Sequence, residues 1–193
     1  MAEEEELEKA RESEDKGVAL LIAILALFLA LAEAGAKNAE HSSTAHNIEA
    51  SDLYNFYQAK RIRSTVVETA SQELEASVVA ITDEKAKDAA EKQITDWKAQ
   101  VAKYDKDPKH PEDAMDAILE RARVANEHRE RANVRLDHLE YASGALQIAI
   151  VLASAAIITG VGALAWISGI LGVIGAVLMG FGYFAPNILP FFS

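Results

Sequence analysis
Imidazoles and carboxylates are the groups through which a cysteine-free chain could hold a metal or move a proton. This chain has five histidines, His41, His46, His110, His128 and His138. None stands three residues after a glutamate, the spacing that puts both ligands of a di-iron site on one helix face. None belongs to the His-Glu-x-x-His pattern of a zinc protease helix. His128 and His138 fall in a stretch dense in Arg and Glu, where an imidazole is more often paired or solvated than ligating. The sequence has no Gly-x-Ser-x-Gly elbow and no phosphate-cradling glycine loop. With no cysteine there is no disulfide, thiolate site or thiol nucleophile. No catalytic residue, cofactor, metal ligand or small-molecule substrate is assigned, and an enzyme is not expected.

The second concentration of chemistry is DLYNFYQAKRIRS, residues 52–64, where Tyr54, Phe56 and Tyr57 are followed by Lys60, Arg61 and Arg63. Aromatics beside bases suit nucleic acid, anionic lipid or the protein's own carboxylates. The formal net charge is −11 and the neighbours of the cluster are acidic, so the basic groove that stacked bases require is missing. No nucleic-acid partner is expected. Choosing between lipid and internal pairing requires the elements that carry the cluster.

Charge is divided unevenly along the chain. Every Asp, Glu, Lys and Arg lies at or before Glu140. The apolar run from Val18 to Ala36, broken by Glu33, is just long enough to cross a bilayer core of about 30 Å. Its flank, MAEEEELEKARESEDK, is acidic rather than the basic lead of a signal peptide, so the run reads as a retained membrane helix. The apolar stretch from Ala142 to Pro186 is too long for one crossing. TGVG, residues 159–162, is its natural break, giving spans near Ala142–Ile158 and Ala163–Phe184. Trp166, Tyr183, Phe184, Phe191 and Phe192 suit the interface. The division expected is an acidic tail (1–16), a first span (17–36), a soluble segment (37–141), a membrane hairpin (142–185) and a short tail (186–193).

Three spans place the middle segment opposite the N-terminus. The middle offers Lys37 and then Arg121, Arg123, Arg129, Arg131 and Arg135, whereas the N-terminal side dilutes Lys9, Arg11 and Lys16 among acids. The positive-inside rule makes the middle cytoplasmic.

Between Ala36 and Tyr141 there is no glycine, and Pro108 and Pro111 mark one firm break. Pro111-Glu112-Asp113 reads as a helix start. One seam with spacings of four and three runs Ala50, Leu53, Tyr57, Lys60, Ser64, Val67, Ser71, Leu74, Val78, Ile81. It keeps phase backward through Ala36, Ala32, Leu29, Leu25 and Ile22. A second runs Met115, Ile118, Ala122, Ala125, Arg129, Ala132, Leu136, Leu139, Ser143, Leu146, Ile150. Such a repeat is the coiled-coil signature. A helix from Lys37 to Thr82 rises about 70 Å, and a return from Glu112 to Glu140 falls short by roughly 25 Å. Residues 83–104 fill that gap, with Asp83 as N-cap and Ile94, Trp97, Val101 and Tyr104 on one stripe. The fold class expected is all-α integral membrane: three transmembrane helices with an antiparallel, coiled-coil-like stalk inserted between the first and second.

With Ala36 and Tyr141 at one membrane surface, the antiparallel register sets Arg61 beside Asp116 and Arg63 beside Asp113. Tyr57 then approaches Glu120, Glu49 meets Arg129 and Glu40 meets His138. Tyr57 lies roughly 30 Å beyond the span, against a screening length of about 8 Å, so lipid is the weaker partner. The cluster reads as stalk pairing through Tyr57, Lys60, Arg61, Arg63, Asp113, Asp116 and Glu120. SDLYNFYQAKRIRS, the preceding membrane run and the hairpin ALQIAIVLASAAIITG resemble the bacterial membrane proteins grouped as "domain of unknown function 4337", over nearly the whole chain. YQAK (Tyr57–Lys60) is the most specific mark. The resemblance implies a bacterial inner-membrane protein with three spans. It brings no activity, cofactor or catalytic residue.

Ser168, Gly172, Ala176 and Gly180 recur every fourth residue in the third span, with Gly169, Gly175 and Gly182 widening the small face. Ala26, Ala30 and Ala34 repeat the theme in the first. Such faces let helix backbones approach closely, within one subunit or between subunits. The function expected is a structural or scaffolding membrane protein, a homo-oligomer in the lipid bilayer. A channel or transport subunit is the alternative, disfavoured because Glu33 is the one ionised side chain in the spans.

Overall fold
The glycine-free, proline-poor middle of the chain leaves little to interrupt a helix, and the computed structural model is built of helices joined by short turns over the residues it describes. These are the backbone of residues 2–106 and 108–185, with side chains from Ser13 onward. The expected tail 186–193, with Phe191 and Phe192, and the side chains of the first twelve residues of the acidic tail lie outside the described residues. In chain order the elements are α1 (Ala2–Val78), α2 (Glu84–Asp105), a 3-10 turn (Pro111–Asp113), α3 (Met115–Thr159) and α4 (Gly162–Phe184). α1, α3 and α4 each contain a segment long and apolar enough to cross a membrane. The protein is an all-helical, multi-span membrane protein with a helix inserted between the first spanning helix and the rest. Its residues divide into two compact units, 1–44 with 129–193, and 45–128.

In the first unit, the N-terminal part of α1, the C-terminal part of α3 and α4 pack around Leu25, Ala32, Ala142, Leu146 and Ala149. Phe28, Leu29, Leu171, Leu178 and Met179 close over that cluster. The outside is as apolar as the inside: Leu20, Leu27, Val151, Ile170 and Val173 are exposed. In water such a surface would associate indiscriminately, whereas hydrocarbon matches it. The two-residue turn between α3 and α4 depends on Gly160, whose φ of 68° is a left-handed conformation that a side chain resists. The Gly160 N–H donates to Ala156 O at 2.9 Å, closing the last turn of α3.

In the second unit, α1 and α3 join along the anticipated seams. Leu53, Ile118 and Ala122 are buried with Tyr57 packed on them. Ala50, Ser64, Ser71 and Ala125 are buried at the same seam spacings. α2 turns Ile94 inward, with Trp97, Val101 and Tyr104 half-buried on its stripe. The Asp83 side chain caps α2, accepting from Ala86 N at 3.1 Å. α1 ends at Val78, four residues before Thr82.

The start of α3 also differs from the sequence reading. Pro111–Asp113 forms a 3-10 turn, Ala114 is extended at φ −60° and ψ 141°, and the α-helix begins at Met115. The α-helical ladder starts at Ala114, whose carbonyl accepts from Ile118 N at 3.0 Å, and the Asp113 carbonyl, one residue outside it, accepts from Lys60 Nζ.

Candidate functional site
The basic-aromatic cluster lies on α1 of the second unit, with its side chains on different faces. Tyr57 and Lys60 point toward α3 because they occupy the seam. Lys60 serves the Asp113 carbonyl and lies 5.5 Å from the Phe56 ring centroid. Arg61 Nη1 donates to Tyr57 Oη at 3.3 Å, one turn back on the same helix. Arg61 and Asp116 form no ion pair among the described residues, and Arg63 and Asp116 are exposed. Glu120 accepts from Arg123 Nε at 3.0 Å and Nη2 at 2.6 Å, and Glu127 also receives Arg123. The Arg123 hydrogen bond holds the Glu120 carboxyl below its ordinary value, and the two acids raise the guanidinium. Of the seven residues assigned to stalk pairing, the structure brings Lys60 and Asp113 together through the backbone. It gives Arg61 to Tyr57 and Glu120 to Arg123.

Other ties in this unit carried no sequence signal. Asn126 Nδ2 donates to Tyr54 Oη at 3.4 Å. The rings of His46 and His128 stack with centroids 5.1 Å apart, and His46 Nδ1 lies 3.3 Å from Glu49 Oε2. Lys98 reaches Glu75 between α2 and α1. Polar residues opposite one another on two long helices are too common for spacing alone to select the ones that meet.

In the first unit, Ser168 and Gly172 are buried inside the chain's own three-helix packing. Ser168 Oγ donates to Ala149 O at 2.7 Å. A β-carbon at Gly172 would lie 2.5 Å from Leu25 Cδ2, and one at Gly175 only 2.7 Å from Leu146 Cγ and 3.2 Å from Ala142 O. Gly182 would meet Leu139 Cγ at 3.0 Å. Ala176 is half-buried, and at Gly180 a β-carbon meets nothing within 4 Å. The small face therefore has two parts, one filled by leucines of α1 and α3 and one open.

The first unit also has a largely apolar groove of about 790 Å³, which Ala176 and Gly180 do not line. Gly17, Val18 and Leu21 of α1 and Gly162, Ala165, Trp166, Gly169 and Ile170 of α4 are among its lining. β-carbons at Gly17, Gly162 and Gly169 would meet no atom within 4 Å.

A second cleft of about 410 Å³ holds Glu33, Lys37, Glu40, Glu140 and Gln147. There Gln147 Nε2 donates to Glu33 Oε1 at 3.2 Å, giving the carboxylate of the first span a polar partner on α3. Nearby in the same unit, Tyr183 Oη donates to Leu31 O at 3.0 Å, and the Arg135 guanidinium lies 4.9 Å from the Tyr183 ring centroid. No group of three or more metal-capable side chains converges among the described residues.

The model of the family described as "Domain of unknown function (DUF4337)" matches residues 14–185, and the chain belongs to that family. No curated protein and no solved structure matches it.

Proposed function
We propose that this member of the DUF4337 family is a non-catalytic scaffold of the bacterial inner membrane, a homo-oligomer joined through its helical stalk and its small-residue membrane faces. The observation that supports this reading is the groove in the first unit. Its glycines leave backbone exposed where another helix can approach, while Gly172 and Gly175 are already occupied within the chain. The membrane boundaries proposed are residues 36 and 141, with the acidic N-terminal segment outside and the arginine-rich middle in the cytoplasm. The stalk residues from Tyr57 to Arg63 then serve internal pairing rather than an external ligand.

Assembly is tested by the mass of the detergent-extracted complex. Gly169→Leu with Gly180→Leu should yield a smaller species that is still inserted, because Leu is no less apolar than Gly and only close approach is lost. A mass unchanged by both substitutions removes the membrane contact, and a monomeric native protein removes the scaffold. Orientation is tested with Ser13→Cys and Gln72→Cys and a membrane-impermeant thiol label in intact cells. Labelling at position 72 without labelling at 13 reverses the topology.

A further inference from the structure
In the first unit α4 ends at Phe184, and the contacts made at that end fix the depth of one arginine. Tyr183 Oη donates to Leu31 O at 3.0 Å. Gly35 makes room for that hydroxyl, since a β-carbon there would overlap it. The ring is thereby held at the level of residues 31–35, the end of the first span. The Arg135 guanidinium lies 4.9 Å from the ring centroid, so its charge is held close to that level too. Arg135 is half-buried and forms no hydrogen bond or ion pair among the described residues; its Nε is closed off without an acceptor. The ring answers the charge and leaves the Nη donors unused. Arg131, one turn back on the same face of α3, is exposed and forms none either.

The carboxylates are directed elsewhere. Glu33, Glu40 and Glu140 line the cleft that holds Lys37, and Glu127 receives Arg123. At 100° per residue, Glu130 and Asp137 stand about 140° and about 160° round α3 from Arg135. On α1 the positions that continue the Tyr183 contact, Leu31, Gly35, Asn38 and Ser42, carry no charge.

We propose that Arg135 and Arg131 hold the headgroup phosphate of an anionic phospholipid beside the Tyr183 ring. A guanidinium takes a phosphate through two parallel N–H donors, and basic positions at the ends of spans are where lipid headgroups meet protein. What lies beneath selects a lipid over free phosphate. Leu20, Ile24, Leu27 and Leu31 form a stripe on α1 at steps of four and three, every one exposed. Phe184, beside Tyr183, is 91% exposed. The stripe runs from Gly35 along the first span, so acyl chains can lie on it while the headgroup reaches the arginines. The site is complete within one chain and serves either orientation, so it goes beyond the scaffold reading and does not depend on it.

The test uses full-length protein exchanged into lipid-free detergent and given phosphatidylglycerol in mixed micelles. Native mass spectrometry should show one such lipid retained per subunit. Phosphatidylcholine, whose headgroup neutralises its own phosphate, and glycerol phosphate, which has no acyl chains, should bind far more weakly. Arg135→Gln should weaken phosphatidylglycerol binding by about tenfold, and Arg131→Gln by less. Arg135→Lys should recover part of the loss, because it keeps the charge without the fork. Arg121→Gln removes the same charge from the second unit and should change nothing. Asn38→Glu, a change at an exposed position, brings a carboxylate to the site and should also weaken binding, which keeps the test decisive if Arg135→Gln does not fold. Retention of no phosphatidylglycerol, or retention unchanged by Arg135→Gln and Asn38→Glu, overturns the site. Equal losses at Arg121 and Arg135 overturn it in favour of general charge attraction. Glycerol phosphate binding as tightly as the lipid overturns the choice of ligand.

Discussion

The two units hold their helices together with different materials. In the first, leucine fills glycine: Leu25 against Gly172, Leu146 against Gly175, Leu139 against Gly182. In the second, Leu53 and Ile118 are buried with Ala122 under Tyr57, and of the charged cluster Lys60 alone lies half-buried on the same seam while Arg61 and Arg63 are exposed. Solvent accounts for the difference. Lipid tails are as apolar as leucine, so burying a leucine in a bilayer gains little and fit supplies the attraction. Water pushes apolar surface together, so what counts in the second unit is the area removed from it. The first unit should be sensitive to added atoms and the second to removed ones.

Ile118 is fully buried, and Ile118→Ala should cost about 2–5 kcal/mol. Hydrogen exchange in residues 115–128 would register the loss as faster opening. Leu146→Ala, equally buried in the first unit, should cost less, because lipid already solvates the side chain in the separated state. Equal costs would erase the distinction between the units.

Overpacking should have the next largest effect. Gly175→Leu forces a side chain against the Ala142 carbonyl, a backbone atom that cannot swing aside, and should cost about 1–3 kcal/mol. Gly144→Leu, where a β-carbon meets nothing within 4 Å, is the matched control and should leave thermal unfolding in detergent unchanged.

Removing a cap should matter less. Asp83→Ala loses the bond to Ala86 N and should destabilise α2 by about 1 kcal/mol. Asp83→Asn should restore most of that, and exchange at the first amides of α2 would report both.

The smallest effect should come from the exposed charges. Glu120 is held below its ordinary value of 4.5 by Arg123, so the pair's contribution is present above that value. It is lost as pH falls through the lowered one. Stability measured from pH 6 downward should show a slight extra decline relative to Glu120→Gln, fading at high salt. No difference at low salt would leave the pair without energetic weight.

Much of this architecture was legible in the residues. Every seam residue from Ala50 to Val78 is buried or half-buried in α1, because a 3.5-residue repeat fixes a face without knowledge of the partner. Asp83 and Gly160 were legible for local reasons, one as a side-chain acceptor before a helix, the other in the one evident break of an apolar run. The start of α3 was not, since a proline followed by two acids opens a 3-10 turn as readily as an α-helix, and here it opens the turn. Nor could spacing divide the small face of α4. Gly172 and Gly180 look alike in sequence, and the leucine opposite the first is contributed by another helix.

The α3–α4 hairpin bears on how the protein enters the membrane. Its turn is Gly160-Val161, and no Asp, Glu, Lys or Arg follows Glu140. Carrying a charged residue to mid-membrane costs about 2.5–3.5 kcal/mol on the insertion scale, and this turn carries none. The Ser168 hydroxyl already has the Ala149 carbonyl as its acceptor on the other arm, so the hairpin can satisfy that polar group before α1 joins it. Both arms can therefore enter as one prefolded unit, with the arginines of α3 holding the open end at the surface from which it came.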